Sequence, residues 1–425
     1  MSKPSLRIVM LSDNQGRALV ILPYNELLNL VSLWKHTHRQ LQPLSTHDAA
    51  AFFNQSALDH NKGIEQLLAL PVLADAECSL TDQFDVIEPN SGRILSLNAA
   101  MFTDNLQLCK LSIGTDAIEA KQIRGSDVTV ITRAVEKFTT LRIKQRLEDT
   151  LGLPTLPPTA LKIIELRANP NAGIDDLVPI VLMDPSLSAQ VMSWAASPYY
   201  AAPGGIDSIH DAIVRVLGYD LVVNLALGVA MGRTLTLPTD TPRGSTPYWL
   251  QAIFCATLAE KLAKQMPAEL RLRPGLVYLT GLLHNFGYLI LAHVFPPHFS
   301  LVSRYIEANS HLHHEHVEKQ ILNVTREQIG SWLAQTWNLP DEVSKGIRFQ
   351  NTPNYQEEHN NYAHLIDLTL RVMRTNGVGD GPKGTIPDTL YQQLGLEPQA
   401  VQNTFTLIQT KTAEMQELES FLKAS

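Results

Sequence analysis

The chain has 425 residues, 44% hydrophobic and 18% charged, which is ample apolar material for two or three packed domains and excludes a disordered chain. A formal net charge of −8 and a pI near 6.0 exclude a general nucleic-acid surface, which needs a concentrated basic face to displace counterions. Cys78, Cys109 and Cys255 are too far apart for a zinc ribbon or a disulfide framework and read as reduced, mostly buried thiols.

From the N-terminus, Arg7-Ile8-Val9-Met10-Leu11 and Ala18-Leu19-Val20-Ile21-Leu22 flank Asp13-Asn14-Gln15-Gly16, which predicts a hairpin closed by polar turn residues. Phe84-Asp85-Val86-Ile87-Glu88 and Arg93-Ile94-Leu95-Ser96-Leu97 predict a second hairpin around Pro89-Asn90-Ser91-Gly92. Helices expected over 26–36 and 48–53 would cover one sheet face, so residues 1–125 read as an α+β domain. Residues 126–152 read as a helical connector, with 137–151 alternating charges and aliphatic residues at helical spacing. The prolines of Leu153-Pro154-Thr155-Leu156-Pro157-Pro158 mark a domain boundary.

Beyond that boundary the pattern is helical throughout. Asp184 is expected to cap a helix over 186–197, and Ser208 one over 209–217 that stops at Gly218. Long apolar helices are expected over 222–234, 249–265 and 276–294. Further helices follow over 326–337, 341–349, 361–374 and 401–422, the last two separated by a glycine-rich loop over 375–387. The bundle proper should span 153–375, with a helical extension over 376–425. The N-terminus lacks a signal-peptide core, and no run reaches the ~18 uncharged apolar residues of a membrane span, so a cytoplasmic location without membrane contact is expected.

Chemistry concentrates at Gly281-Leu282-Leu283-His284-Asn285-Phe286-Gly287. Adjacent His and Asp on a helix can give an imidazole and a bridging carboxylate to divalent metal ions, but Asn285 has no negative charge to offer. In the tract His311-Leu312-His313-His314-Glu315-His316, His313 and His316 would share a helix face and bind nickel or zinc adventitiously; a solvated helix start is the favoured reading. Gly204-Gly205 lacks the lysine and preceding strand of a phosphate loop and reads as a connection. Tyr199, Tyr200, Trp332 and Trp337 read as packing residues.

The ordered motifs Leu153-Pro154-Thr155-Leu156-Pro157, Asp184-Pro185-Ser186-Leu187, Ser197-Pro198-Tyr199, Ile206-Asp207-Ser208-Ile209-His210-Asp211-Ala212-Ile213, Leu217-Gly218, the His284-Asn285 run and Trp337-Asn338-Leu339-Pro340 closely resemble the HDOD domain, an HD-related output domain of bacterial signalling proteins. The resemblance covers roughly 147–374 and implies an all-α bundle similar to HD-type metal phosphohydrolases but without their full ligand set. It places a degenerate site at Gln251, where an HD enzyme has its first histidine, at His284 and Asn285, and at Asp367 as the counterpart of the final aspartate. Arg326-Glu327-Gln328 and Phe349-Gln350 stand where related sequences often carry histidines. No catalytic residue, metal ligand set or cofactor is assigned.

The N-terminal elements are similar in order to the YbaK/ProX-type aminoacyl-tRNA editing domain, with Arg7 where that family has a lysine. Arginine stays protonated and cannot serve as a general base, so a degenerate binding module is expected. The resulting expectation is a non-catalytic bacterial signal-transduction protein that binds a regulatory protein partner or a small ligand. One alternative is a metal-dependent phosphohydrolase on a nucleotide or phosphodiester, its site rebuilt from His284, Asp367 and His210 or His364. The other is an aminoacyl-tRNA deacylase with tRNA as partner, using a pocket near Arg7 and a basic face from Lys110, Lys121 and Arg124.

Overall fold

This computed structural model describes residues 5–80, 83–102, 105–121, 124–139, 151–153, 155–196, 205–232 and 235–410, with 412, 413, 415, 416 and 419 beyond. The second half of the expected connector (140–150), Pro154, Ser197 to Gly204 and most of the end of the closing helix lie outside the described residues.

A mixed sheet comes first. β1 (Leu6–Asp13) and β2 (Gly16–Pro23) form the expected hairpin with Asp13 opposite Gly16, whose φ of +127° favours glycine. β5 (Val72–Asp75) and β8 (Leu106–Cys109) extend the sheet in parallel beyond β2. β6 (Phe84–Ile87) runs parallel to β1 and turns into β7 (Ile94–Leu97) as the second expected hairpin, and β4 (Gln42–Pro43) touches the end of β1. β1 and β2 are near-continuous apolar runs because both faces are covered. Ile8, Met10, Leu19 and Ile21 pack with Phe53 and Leu67 of the helices Thr46–Phe53 and Asn61–Leu68. Val9, Leu11, Val20 and Leu22 face the other way, with Leu33 and Ala308, toward the helical part of the chain.

One expectation is corrected here. The helix expected over 26–36 begins as β3 (Glu26–Leu28), paired with β9 (Ser112–Gly114), and becomes helical only at Leu30–Thr37. The Asn29 side chain, accepting from Val31 and Ser32 N–H, sets that start. The first half of the expected helical connector is the helix Asp127–Phe138, and it packs on the bundle: Val130, Ile131, Ala134 and Val135 join the helical core, and the Asp127 carboxylate accepts from Arg348 Nε at 2.5 Å and Gln328 Nε2 at 3.0 Å.

The rest is a helical bundle with one continuous core, which also takes in Leu390, Leu394, Phe405 and Ile408 of the C-terminal helices Asp388–Leu394 and Pro398–Gln409. Asp184 and Ser208 cap as expected, and Gly218 ends its helix at φ +81°. The last stretch before it, Ala212–Leu217, is π-helical, closed by Gly218 N–H to Ile213 O at 2.8 Å. The apolar stretch expected as one helix over 276–294 is two, Pro274–Leu283 and Phe286–Val294, broken where Asn285 takes φ −111°, ψ 13°. The stretch Pro274–Val294 is long and apolar enough for a membrane span, but 89% of its most apolar window is buried inside the protein. Trp332 and Trp337 are core residues, Trp337 against Phe286.

Candidate functional site

The helix break aims His284 and Asn285 at a junction of six other elements. These are the start of Tyr248–Gln265, the helices His314–Leu322 and Arg326–Thr336, the end of Asp341–Phe349, the end of Asn360–Thr375, and the glycine loop after it. Close approach is enforced by glycine: a Cβ on Gly287 would lie 1.8 Å from the carbonyl oxygen of Arg326, and one on Gly281 2.7 Å from Ala256 Cα. A capping box, Thr325 with Gln328, starts the helix that delivers Arg326 and Glu327 into the interior.

The sequence-derived residues divide. Gln251, His284 and Asn285 line a common void of about 30 Å³, room for a water or two. Asp367 does not line it. Its carboxylate pairs with Arg371 at 2.7 Å on its own helix, and burial holds its pKa above the ordinary carboxylate value. His210 is exposed on a distant helix, and His364 is buried outside the lining, so neither rebuilds a metal site.

Around the void most polar groups bond to one another, while Glu327 Oε2, Gln350 Oε1 and Arg374 Nε are buried without a hydrogen bond. His284 is the donor at Nδ1 to Gly281 O (2.7 Å), which leaves its Nε2 a lone-pair acceptor; burial lowers its pKa to about 4, so the ring is neutral. Arg326, 5% exposed, donates from Nη1 to Asn285 Oδ1 (3.0 Å) and from Nε to Glu318 Oε1 (2.6 Å), and stacks 4.7 Å from the centre of the Tyr288 ring. Glu318 also accepts the Arg326 backbone N–H, and burial pushes its carboxyl up. Glu327 accepts from His314 Nε2 (2.7 Å) and Asn351 Nδ2 (2.8 Å); despite its burial, His314 and Arg326 hold its carboxyl far below the usual range. Gln350 Nε2 donates to His284 O, and Gln251 Nε2 to Asp380 Oδ2 (2.7 Å) and Thr246 O (2.8 Å).

These residues do not fit a catalytic metal. The amide oxygen of Asn285, at the position of a bridging carboxylate, is held by a guanidinium whose own charge is sealed against the fully buried Glu318. A divalent ion placed there would meet a fixed positive charge at close range in a poorly screened interior. His314, Glu318 and Glu327 bring three ligand atoms within 4.8 Å of one another, but His314 is bonded to Glu327 and Glu318 to Arg326, which leaves Glu327 Oε2 as the unpartnered oxygen of the three residues among the described contacts.

Reading the sequence alone overlooked His314, Glu318, Arg374 and Asp380. The histidine tract was visible, yet the expectation of a solvated helix start is wrong. His313 is the N-cap residue, its ring pKa well depressed by burial, and His314 reaches inward to Glu327. His316 instead sits 3.5 Å from Glu119, so the proposed His313/His316 pair does not form a site.

Arg7 lines none of the cavities described here: fully buried on the first strand, it donates to Ala308 O (3.0 Å), Asn309 Oδ1 (2.7 Å) and Glu26 O (3.1 Å), joining sheet to bundle. Lys110 is paired with Glu77 at 2.5 Å, and Lys121 and Arg124 are exposed.

Comparison with known proteins agrees with this architecture. The HDOD domain model matches residues 153–353. A solved protein from Marinobacter aquaeolei VT8, assigned to signal transduction, is 39% identical, with 98% of this chain and 93% of that one covered and a TM-score of 0.89. The chain carries an HDOD domain over residues 153–353. An HDOD domain protein of unknown function from Geobacter sulfurreducens shares the fold at 20% identity, covering 69% of this chain and 99% of that one, with a TM-score of 0.52. An uncharacterized protein of Treponema pallidum (strain Nichols) is 27% identical over 321 residues, 72% of this chain. The match spans 60% of that relative's length.

Proposed function

We propose that this HDOD protein is a non-catalytic component of a cytoplasmic signal-transduction system, in which the helical bundle recognises a small ligand or a protein partner and the sheet domain, locked to it, relays the engagement. One observation carries this: Arg326, neutralised by Glu318, occupies the space beside Asn285 where hydrolysis would need a metal. The similar Marinobacter protein, assigned to signal transduction, supports the regulatory setting. Hydrogen bonds across the seam, from Arg7 to Ala308 O and Asn309 Oδ1, couple the two parts and suit a mechanism in which binding shifts the population of whole-molecule conformations.

The phosphohydrolase alternative draws on the closeness of His314, Glu318 and Glu327, and requires Arg326 to withdraw. The deacylase alternative requires an open pocket at Arg7, which the sheet–bundle seam encloses. The deciding experiment is elemental analysis of untagged full-length protein, with the histidine tract intact because His314 belongs to the network. Substoichiometric zinc, manganese and iron are expected; a full equivalent of any of them retained through dialysis would reject the proposal.

A further inference from the structure

Between the sheet domain and the bundle lies a cleft of about 530 Å³, within the range of small-molecule sites. Tyr24, Asn90 and His47 line it from the sheet side; Arg326, Arg374 and Lys383 line it from the bundle. It adjoins the small void described above, sharing His314, Arg326, Arg374, Gly379 and Asp380 with it.

The charges in this cleft do not balance. Arg243 is matched by Glu307 at 2.7 Å and Arg326 by Glu318 at 2.6 Å. The Asp380 carboxylate accepts from Gln251 and the Thr246 N–H, and burial raises its pKa. Arg374 and Lys383 remain, and among the described residues neither forms an ion pair. Arg374 is largely enclosed. Its one polar contact is Nη1 to His313 Nε2 at 3.5 Å, and its Nε has no partner. Enclosing a guanidinium without a bonded anion is unfavourable, and burial depresses its pKa although the charge of Asp367 on the same helix works against that shift. On a chain of net charge −8, a concave site with two cations outside any ion pair against the single carboxylate of Asp380 keeps a local excess of positive charge.

The loop over Arg374 is built to keep it in place. Gly377, Gly379 and Gly381 have φ of +81°, +94° and +114°, and a Cβ on Gly381 would sit 3.3 Å from Arg374 Cδ. The loop is pinned by Gly379 N–H to Thr246 Oγ1 (2.9 Å) and by Gln251 to Asp380. The arginine stem is therefore held between its own helix and a fixed loop, with the head toward the cleft. Facing it across the cleft is the aromatic pair Tyr24 and His311, ring centres 4.9 Å apart. The His311 ring is neutral, since burial lowers its pKa to about 2.

We infer that the interdomain cleft binds a phosphorylated small molecule, its phosphate on Arg374 and Lys383 and its organic part against Tyr24. This rests on the non-catalytic reading above and gives it a ligand class. A guanidinium and an ammonium on one side suit phosphate oxygens, and Arg374 offers the forked donor geometry that phosphate accepts. Such a ligand would contact both domains, so that binding reports on their relative placement.

The test is calorimetric titration of full-length protein with inorganic phosphate, pyrophosphate, guanosine 5′-monophosphate and guanosine, checking by chromatography that the nucleotide is recovered unchanged. Pyrophosphate or the nucleotide is expected to bind and guanosine is not. Arg374→Gln and, separately, Lys383→Ala are each expected to weaken binding by about tenfold or more, with the lysine variant, exposed in a loop, leaving the fold intact. No phosphate probe binding better than roughly millimolar, or unchanged affinity in both variants, overturns the inference. Nucleotide that binds but is hydrolysed would sink the non-catalytic reading while leaving the cleft assignment standing. Absence of both binding and hydrolysis would do the reverse.

Discussion

Replacing Arg326 by methionine separates an internal cation from an incidental ion pair. The side chain is 5% exposed and, among the described residues, supplies the only guanidinium bonded to Glu318, whose side chain is wholly buried. Methionine retains the apolar stem against Tyr288 but leaves Glu318 with the backbone N–H of residue 326 as its remaining donor. Breaking a buried pair by removing one partner destabilises by about 3–5 kcal/mol, and that is the expected loss in urea unfolding near neutral pH. Burial already raises the Glu318 carboxyl, so in the variant it should take up a proton on acidification. The deficit should then shrink by at most about 1.4 kcal/mol per pH unit. Adding Glu318→Gln removes the orphaned charge, and the double variant should recover more than half of the loss. The single variant also brings His314, Glu318 and Glu327 together without a resident cation, so manganese or zinc should raise its melting temperature and leave the wild type unchanged. A loss below about 1 kcal/mol, the scale of an exposed pair, would refute the buried-cation account. So would equal metal stabilisation of the wild type.

Other outcomes follow from the same geometry. His284 is held neutral with its pKa lowered from 6.5 to about 4, first by burial, so between those values the unfolded chain takes up a proton that the folded one refuses. Its stabilising contribution is complete above pH 6.5 and declines as pH falls toward 4, by up to about 3 kcal/mol. His284→Asn should therefore flatten the acid limb of the stability profile measured by urea midpoints, and superimposable limbs would reject the assignment. Gly287→Ala places a methyl carbon 1.8 Å from Arg326 O, forcing two helices apart. It should lower stability by at least the roughly 1–3 kcal/mol typical of overpacking, and an unchanged melting temperature would mean that the helices separate freely.

The elements that the sequence made legible are those whose stops and starts are local. Asp13 to Gly16 closes a two-residue turn, Asp184 and Ser208 cap, and Gly218 reverses φ; each signal lies within a few residues of its effect. Where the expectation failed, the deciding contact was distant in sequence. Pairing of Glu26–Leu28 with Ser112–Gly114 converts a helical pattern into a strand, and no local window contains both partners. The break at Asn285 is hidden by apolar residues on both sides, because what it accommodates is the approach of Gly287 to Arg326 in another helix. Arg7 sits on an apolar strand, where an arginine suggests chemistry; its three acceptors include Ala308 and Asn309, about three hundred residues away. The histidine tract misled for a related reason: its polarity suggested solvent, whereas Glu327 supplies a buried partner for His314.

The positions that the HDOD resemblance aligns with HD metal ligands are occupied here by groups holding other parts of the protein. Gln251 cannot replace a histidine as a ligand, yet its amide both donates to Asp380 and anchors to Thr246 O, fixing the glycine loop over Arg374. Asn285 cannot bridge two ions, yet its neutral oxygen accepts from Arg326, where a carboxylate would have added a second negative charge beside Glu318. Restoring aspartate at residue 285 would thus place two carboxylates on one guanidinium in a buried setting, which is unfavourable unless another cation arrives. Asparagine and Arg326 are mutually consistent, and so are Gln251 and Asp380. Each pair braces a wall of the cleft that holds Arg374, so on the proposed reading one set of contacts both leaves no room for a metal and preorganises the binding surface.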